Sequence, residues 1–193
     1  GVLVGPLTQL SDDEKMFQQE IRKFAQTQVK PHVKHMDETE SFEPKLISEM
    51  FAMGLMGIDI PAEHGGSDGS FFTSILAIEE LSKVDPSAGV FVDVQNTLIN
   101  NIFHRWASTE QKKAYYPRLA QNCVGAFGLT EPDSGSDAFA LQTKAVEKSG
   151  FWHLTGKKVF ITNAKEAGLF IIFANIAPER GYKGITAFLV ERD

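Results

Sequence analysis

VGAFGLTEPDSGSD (residues 124–137) and GKKVFIT (residues 156–162) are the two stretches whose reading decides the fold. Each reads as a β-strand whose end carries hydroxyl, glycine and aromatic residues. Successive side chains of a strand point to opposite faces, so Val159 and Ile161 are expected to share a core-facing side while Phe160 and Thr162 share the other. In the first stretch Phe127 and Leu129 alternate with Gly128 and Thr130, a flat apolar surface bordered by a hydroxyl. Glu131 to Asp137 follows, where Gly135, Ser134 and Ser136 can turn backbone N–H and hydroxyl groups toward a pyrophosphate or a thioester arm. An aromatic plane beside hydroxyls suits a flat guest with hydrogen-bonding edges, and an isoalloxazine ring meets that description. An ordinary turn between two strands satisfies the same spacing, and spacing alone does not choose.

Working outward, the chain changes character near Gln121. After it come segments with strand composition separated by turn residues: VGAFGLT, LQTKAVE, FWHLTGKKVFIT, GLFIIFAN and GITAFLVE. They predict an antiparallel sheet or barrel. Before Gln121 the apolar spacing is helical. Phe17, Ile21, Phe24, Ala25 and Val29 recur at three- and four-residue intervals after Ser11, which forms a capping box with Glu14; Pro31 marks a stop or kink. Pro44 opens a second helix to about Met53, and GLMGIDIPAEHGGSDGS reads as a loop with no regular element. Phe71 to Val84 is helical again. Asp85-Pro86-Ser87 breaks it and caps a helix from Ala88 to about His104, and Ser108 with Gln111 caps another through Ala120, bent at Pro117. The expected architecture is α+β: an all-helical domain over residues 1–121, then an incomplete β-domain over residues 122–193. A chain ending directly after a strand reads as a truncation, with a raw sheet edge.

Composition narrows the function classes. The 193 residues are 42% hydrophobic, enough for a globular core. Nineteen basic residues face 25 acidic ones, a net charge of −6, with no Lys/Arg cluster dense enough to follow a phosphate backbone, which argues against nucleic acid. No apolar run reaches the roughly 20 residues of a membrane span, so no membrane partner is expected. One cysteine, Cys123, permits no internal disulfide and suits a reducing compartment, where it reads as a small apolar residue before a strand. Gly1 begins no secretory or transit signal, so an imported protein would appear here in processed form.

LTEPDSGSD, followed about two dozen residues later by GKKVFITNA and preceded by a helical region containing EELSKVDPSAGVF, resembles the acyl-CoA dehydrogenases. The resemblance runs end to end, over that family's amino-terminal helical domain and about the first half of its middle β-domain. IEELSKVDPS, VQNTLINNIF and GYKGITAFLVERD are most similar to the short/branched-chain branch, whose substrates are thioesters such as 2-methylbutanoyl-CoA. The resemblance implies FAD as cofactor, an acyl-CoA substrate, an electron-transfer flavoprotein as electron acceptor, a homotetramer when full length, and the mitochondrial matrix as location.

Carried over by position, the resemblance places flavin contacts on Phe127, Leu129, Thr130, Gly135 and Ser136, with Thr130 at the pyrimidine edge of the ring. A second set falls on Phe160, Ile161 and Thr162, with Thr162 near N5, the hydride-accepting atom. Ser136 would also touch the acyl-CoA, and Tyr182 in GYKG matches a further substrate contact. Phe160 stands where the family commonly has tryptophan. The family's catalytic glutamate lies in this branch in a carboxyl-terminal helical domain, expected to be absent from these residues, so no base is assigned; Glu131 is expected to hold its turn through backbone hydrogen bonds. Two alternatives accompany the dehydrogenase: an enoyl-CoA reductase running the reaction in reverse, and a non-catalytic truncated paralogue.

Other motifs carry little chemistry. His32, His35 and Asp37 sit near a proline at a helix end, where solvated polar residues are expected, so no metal is assigned. GGSDGS lacks the strand and helix context of a dinucleotide fold. Met50, Met53 and Met56 read as core or pocket filler. Gln95, Asn96 and Thr97 interrupt an apolar helix, as acyl-chain contacts or as a solvent face.

Overall fold

A computed structural model describes residues 9–192; the expectations for Gly1 and for the last residue lie outside that range. Helix α1, Asp12–Phe24, begins at Ser11, whose hydroxyl accepts the Glu14 amide while Glu14 accepts the Ser11 amide, both halves of the capping box. Pro31 does not stop the helix. The chain passes through a π turn (Ala25–Val29) and a 3₁₀ turn (Lys30–His32) into α2, Val33–Thr39. Proline fits the first turn of the 3₁₀ segment because no interior amide is demanded of it there. Helix α3, Pro44–Ala52, precedes the glycine-rich loop, which holds one short 3₁₀ turn at Ala62–His64. Helix α4 is Phe71–Ser82.

Asp85 caps α5, Pro86–Asp93, by accepting the Ser87 amide, so this helix starts two residues before the expected Ala88. It runs on through a π segment, Val94–Asn100, into α6, Asn101–Trp106. Helix α7, Thr109–Gln121, starts at a second capping box between Ser108 and Gln111.

Five strands follow: β1 Gly125–Gly128, β2 Lys144–Lys148, β3 Phe151–Thr155, β4 Leu169–Asn175 and β5 Ile185–Glu191. They form one sheet, and its pairing is mixed where the sequence suggested antiparallel throughout. β2 with β3 and β4 with β5 are antiparallel, while β1 runs parallel to β4, and β2 meets β4 in parallel at Lys144 and Asn175. The forty residues between β1 and β4 do not close as a hairpin; the long excursion brings the chain back in the same direction. FWHLTGKKVFIT is not one strand either. β3 ends at Thr155, and the chain then turns, with Phe160 and Asn163 in left-handed backbone conformations (φ 56° and 64°). Alternation fails there because one left-handed residue reverses the chain's course.

The helices and the sheet share their cores. Val124, Ala126 and Ala167 pack with α1, α3, α4 and α5 through residues such as Ile21, Met50, Leu81 and Val92. Leu169 and Ile171 of β4 pack on Ile99, Phe103, Tyr116 and Leu119. β4 is the apolar run GLFIIFAN, and its alternate residues Leu169 and Ile171 are fully buried against the helices. Met50 and Met56 are fully buried, whereas Met53 is 38% exposed at the end of α3 and fills no core.

The polar residues of the long helix have a role the sequence did not disclose. Gln95 and Asn96 face neither solvent nor a pocket; with Asn100 they are buried in the π segment and bond to backbone. Asn96 accepts the Ile58 amide and donates to the Leu55 and Val92 carbonyls, and Asn100 donates to Met56. A loop buried under a helix must satisfy its peptide groups somewhere, and these amides supply the partners. Thr97 turns inward only as far as Asp93, bonding its carbonyl and carboxylate.

Candidate functional site

Six of the sequence-predicted residues meet in one place. Phe127, Leu129, Thr130, Phe160, Ile161 and Thr162 line a cleft of about 180 Å³, joined by Val94 and Leu98 from the π segment. The first wall is the end of β1 and the extended residues after it. The second is the left-handed turn after β3. Helix forms the floor.

Local forces set each wall. Gly128 lies against Ile172 of β4, where a Cβ would stand 2.6 Å from its Cδ1, so glycine lets the strand end close on its neighbour. Phe127 is half-buried and its ring meets Phe173 at 5.1 Å and 58°, an edge-inclined pair that fixes its orientation. The second wall is anchored where the Asn163 side chain donates to the Phe91 carbonyl of α5 at 3.2 Å. Ile161 packs back on the core from there, while Phe160 projects outward with 94% of its surface exposed. The walls are joined directly by the Val159 amide, which donates to the Thr130 carbonyl at 3.0 Å.

Behind the first wall sits a buried carboxylate. Glu131 is 4% exposed and accepts from the Gln142 amide, the Thr143 amide and hydroxyl, and the Lys158 ammonium. Burial pushes its pKa up, but the Lys158 and Thr143 hydrogen bonds and the two amides outweigh it and hold the group down at about 2. Both oxygens are engaged, so Glu131 is held as a structural anion. Cys123 is buried before β1, its thiol pushed up in pKa by that burial.

Gly135, Ser136 and Tyr182 lie apart from the cleft lining. Gly135 and Ser136 are exposed and directly follow the turn closed by the Glu131–Ser134 bridge, and Gly135 has open space where a Cβ would be. Tyr182 occupies the 3₁₀ connection Pro178–Gly184, 56% exposed, its ring 5.1 Å from that of Phe139, which is 69% exposed. Val94 and Leu98 were missed by the sequence reading. The signal lay in their four-residue apolar spacing, disguised by the polar Gln95, Asn96 and Thr97 between them.

The donor set fits an isoalloxazine ring. The cleft is bounded by apolar rings and aliphatic side chains, and neither the Thr130 nor the Thr162 hydroxyl engages another of the described residues, leaving both to a guest. Phe160 is exposed in a left-handed conformation that neither burial nor backbone preference favours.

The helical part matches the acyl-CoA dehydrogenase N-terminal domain over residues 11–122, and residues 126–193 match the acyl-CoA dehydrogenase middle domain. The chain belongs to the acyl-CoA dehydrogenase family, a family of flavoproteins and oxidoreductases. Among curated relatives it is 52% identical over 97% of its length to a probable short/branched chain specific acyl-CoA dehydrogenase of Dictyostelium discoideum, covering 46% of that protein. It is 45% identical, again over 97%, to the mitochondrial short/branched chain specific acyl-CoA dehydrogenase of Rattus norvegicus, covering 44%. A solved glutaryl-CoA dehydrogenase of Mycobacterium smegmatis in complex with FADH2 superposes with a TM-score of 0.86 at 33% identity, over 95% of this chain and 46% of that one. The chain therefore spans about half the length of the relatives it matches.

Proposed function

We propose that this chain forms the flavin-facing part of an acyl-CoA dehydrogenase that converts short or branched-chain acyl-CoA to the trans-2-enoyl-CoA. The observation that carries the reading is the convergence of Phe127, Leu129, Thr130, Phe160, Ile161 and Thr162 on one cleft from two stretches some thirty residues apart. FAD, when bound there, supplies the acceptor for the hydride that leaves the β-carbon. Thr130 and Thr162 would hold the ring's polar edges, Phe160 and Leu129 would keep water from it, and Val94 and Leu98 would present apolar surface to the acyl chain. Gly135 and Ser136, exposed just beyond the Glu131–Ser134 turn, would meet the cofactor's phosphates and the thioester arm, and Tyr182 would meet the substrate farther out.

The branched-chain preference is supported by the short/branched chain relatives, and a mitochondrial location by the word mitochondrial in the rat protein's name; the matrix belongs to the same reading. Transfer of electrons to an electron-transfer flavoprotein and assembly as a homotetramer belong to the same reading. No base is assigned, since the best-buried carboxylate near the cleft, Glu131, is fully engaged.

FAD titration of the purified chain tests the reading. Binding should shift the flavin absorbance and quench its fluorescence, and Thr130→Val with Thr162→Val should weaken it by about tenfold, the loss of one to two hydrogen bonds at about 1 kcal/mol each. A perturbed spectrum of the bound flavin on adding 2-methylbutanoyl-CoA, at lower concentration than straight long-chain thioesters require, supports the substrate class. A wild-type chain whose addition leaves the FAD spectrum unchanged overturns the assignment.

A further inference from the structure

Lys158 lines no part of the cleft, yet it reaches both walls. From the residue before Val159 its ammonium donates to the Leu129 carbonyl at 2.9 Å and to the Glu131 carboxylate at 2.7 Å. Its side chain is 9% exposed and that of Glu131 4%. Glu131 in turn ties down Gln142 and Thr143, where the chain enters β2. One ion pair therefore joins the first wall, the second wall and the strand that follows.

Burying two charges is expensive, and an apolar pair of similar volume would hold two segments together as well or better. What an apolar pair lacks is direction: the ammonium fixes one carbonyl and one carboxylate oxygen at defined positions, which sets the separation of Leu129 and Thr130 from Phe160 to Thr162. A second property matters beside an electron acceptor. The pair presents no net charge, whereas either partner alone would place an uncompensated charge behind the cleft wall.

We propose that the Glu131–Lys158 ion pair is the positioning element of the flavin cleft, holding its walls in register while presenting no net field to the ring. The inference rests on the flavin reading above. Both residues act through their neighbours and touch no reacting atom.

The test compares Glu131→Gln, Lys158→Met and the double variant with the wild-type chain in three measurements: amide exchange at Val159, the FAD dissociation constant and the midpoint potential of bound flavin. Each single variant should speed Val159 exchange and loosen FAD by about tenfold, the lower end of what loss of an outer supporting contact costs. The potentials should move oppositely, upward in Glu131→Gln, where the cation is left to favour the electron-rich reduced ring, and downward in Lys158→Met. The double variant leaves no lone charge, so it should fold even where a single variant does not, with a near wild-type potential and looser FAD. Shifts of the same sign in the single variants, or unchanged FAD affinity in the double variant, overturn the proposal. A wild-type chain that takes up no FAD removes the flavin reading and this inference together; a flavin-loaded wild type beside variants that hold FAD equally well removes the inference alone.

Discussion

The Gln95 side-chain oxygen accepts the Gly125 amide at 2.8 Å, so the first peptide of β1 is held by a helix thirty residues earlier in the chain. Its nitrogen donates to the Leu119 and Cys123 carbonyls, each at 3.1 Å. One buried amide thus satisfies the end of α7, the link after it and the first strand. Gln95→Leu keeps the volume and strands three buried peptide groups. It should lower unfolding free energy by about 2–4 kcal/mol, at the upper end for a polar-network loss. Urea midpoints measure this. Gln95→Glu keeps the acceptor for Gly125 but faces two carbonyls with a carboxylate, and should cost at least as much.

How much of this was legible from the residues follows from range. The capping boxes at Ser11 and Ser108 and the cap at Asp85 were readable because a cap is a three-residue interaction. The cleft residues were readable through resemblance, and their convergence needed the fold. The direction of β1 relative to β4 was not readable, because strand pairing across forty residues leaves no local trace. The π segment hid the real role of Gln95, Asn96 and Asn100, since an added residue in the turn rotates the faces that a 3.6-residue period assigns. Phe160 misled for a related reason: composition reads VFIT as a strand, while docking of Asn163 on α5 imposes a turn.

Glu131 makes the fold acid-sensitive. Its native pKa of about 2 lies below the ordinary carboxylate value near 4.5, so the unfolded chain takes up its proton first. The stabilisation is complete above about pH 5 and declines as pH falls from there toward 2. The difference corresponds to about 3 kcal/mol. Denaturant unfolding of the wild type between pH 7 and pH 3 should show about 2 kcal/mol of this loss, the rest falling below pH 3, and the Glu131→Gln/Lys158→Met pair should flatten that part of the profile. Equal slopes in the two proteins would assign the acid sensitivity elsewhere, with Glu80, held low by the Arg22 hydrogen bond, the next carboxylate to test.

Two glycines separate packing from approach. At Gly156 a Cβ would stand 2.7 Å from the Thr143 Cα and closer still to its side chain, so alanine there must push Thr143 away from Glu131. Gly156→Ala should cost about 1–3 kcal/mol, the range for overpacking against backbone. At Gly135 nothing stands within 4 Å of a Cβ and φ is not positive, so Gly135→Ala should leave stability unchanged or raise it by about 0.5 kcal/mol through a less flexible unfolded chain. If the turn approaches the cofactor as proposed, Gly135→Ala should weaken FAD binding all the same. Thermal unfolding of the flavin-free chain separates the two effects from FAD titration.

Phe160 sets fold stability against function at a single position. Its φ of 56° costs a non-glycine residue about 1–2 kcal/mol, and with 94% of its surface in water it recovers almost nothing by burial. Glycine adopts the same conformation freely but gains entropy when unfolded, roughly 0.5–1 kcal/mol. Phe160→Gly should therefore raise the unfolding free energy of the flavin-free chain by up to about 1 kcal/mol, where most replacements of a phenylalanine lower it. The same change removes the aromatic surface from the cleft and should loosen FAD, whereas Phe160→Trp should leave stability unaltered and hold FAD at least as tightly by enlarging the plane. Denaturant midpoints without flavin and FAD titrations of the three proteins measure both sides. A Phe160→Gly chain that is less stable than wild type would mean the ring packs on the protein after all, and one that binds FAD with undiminished affinity would take Phe160 out of the site.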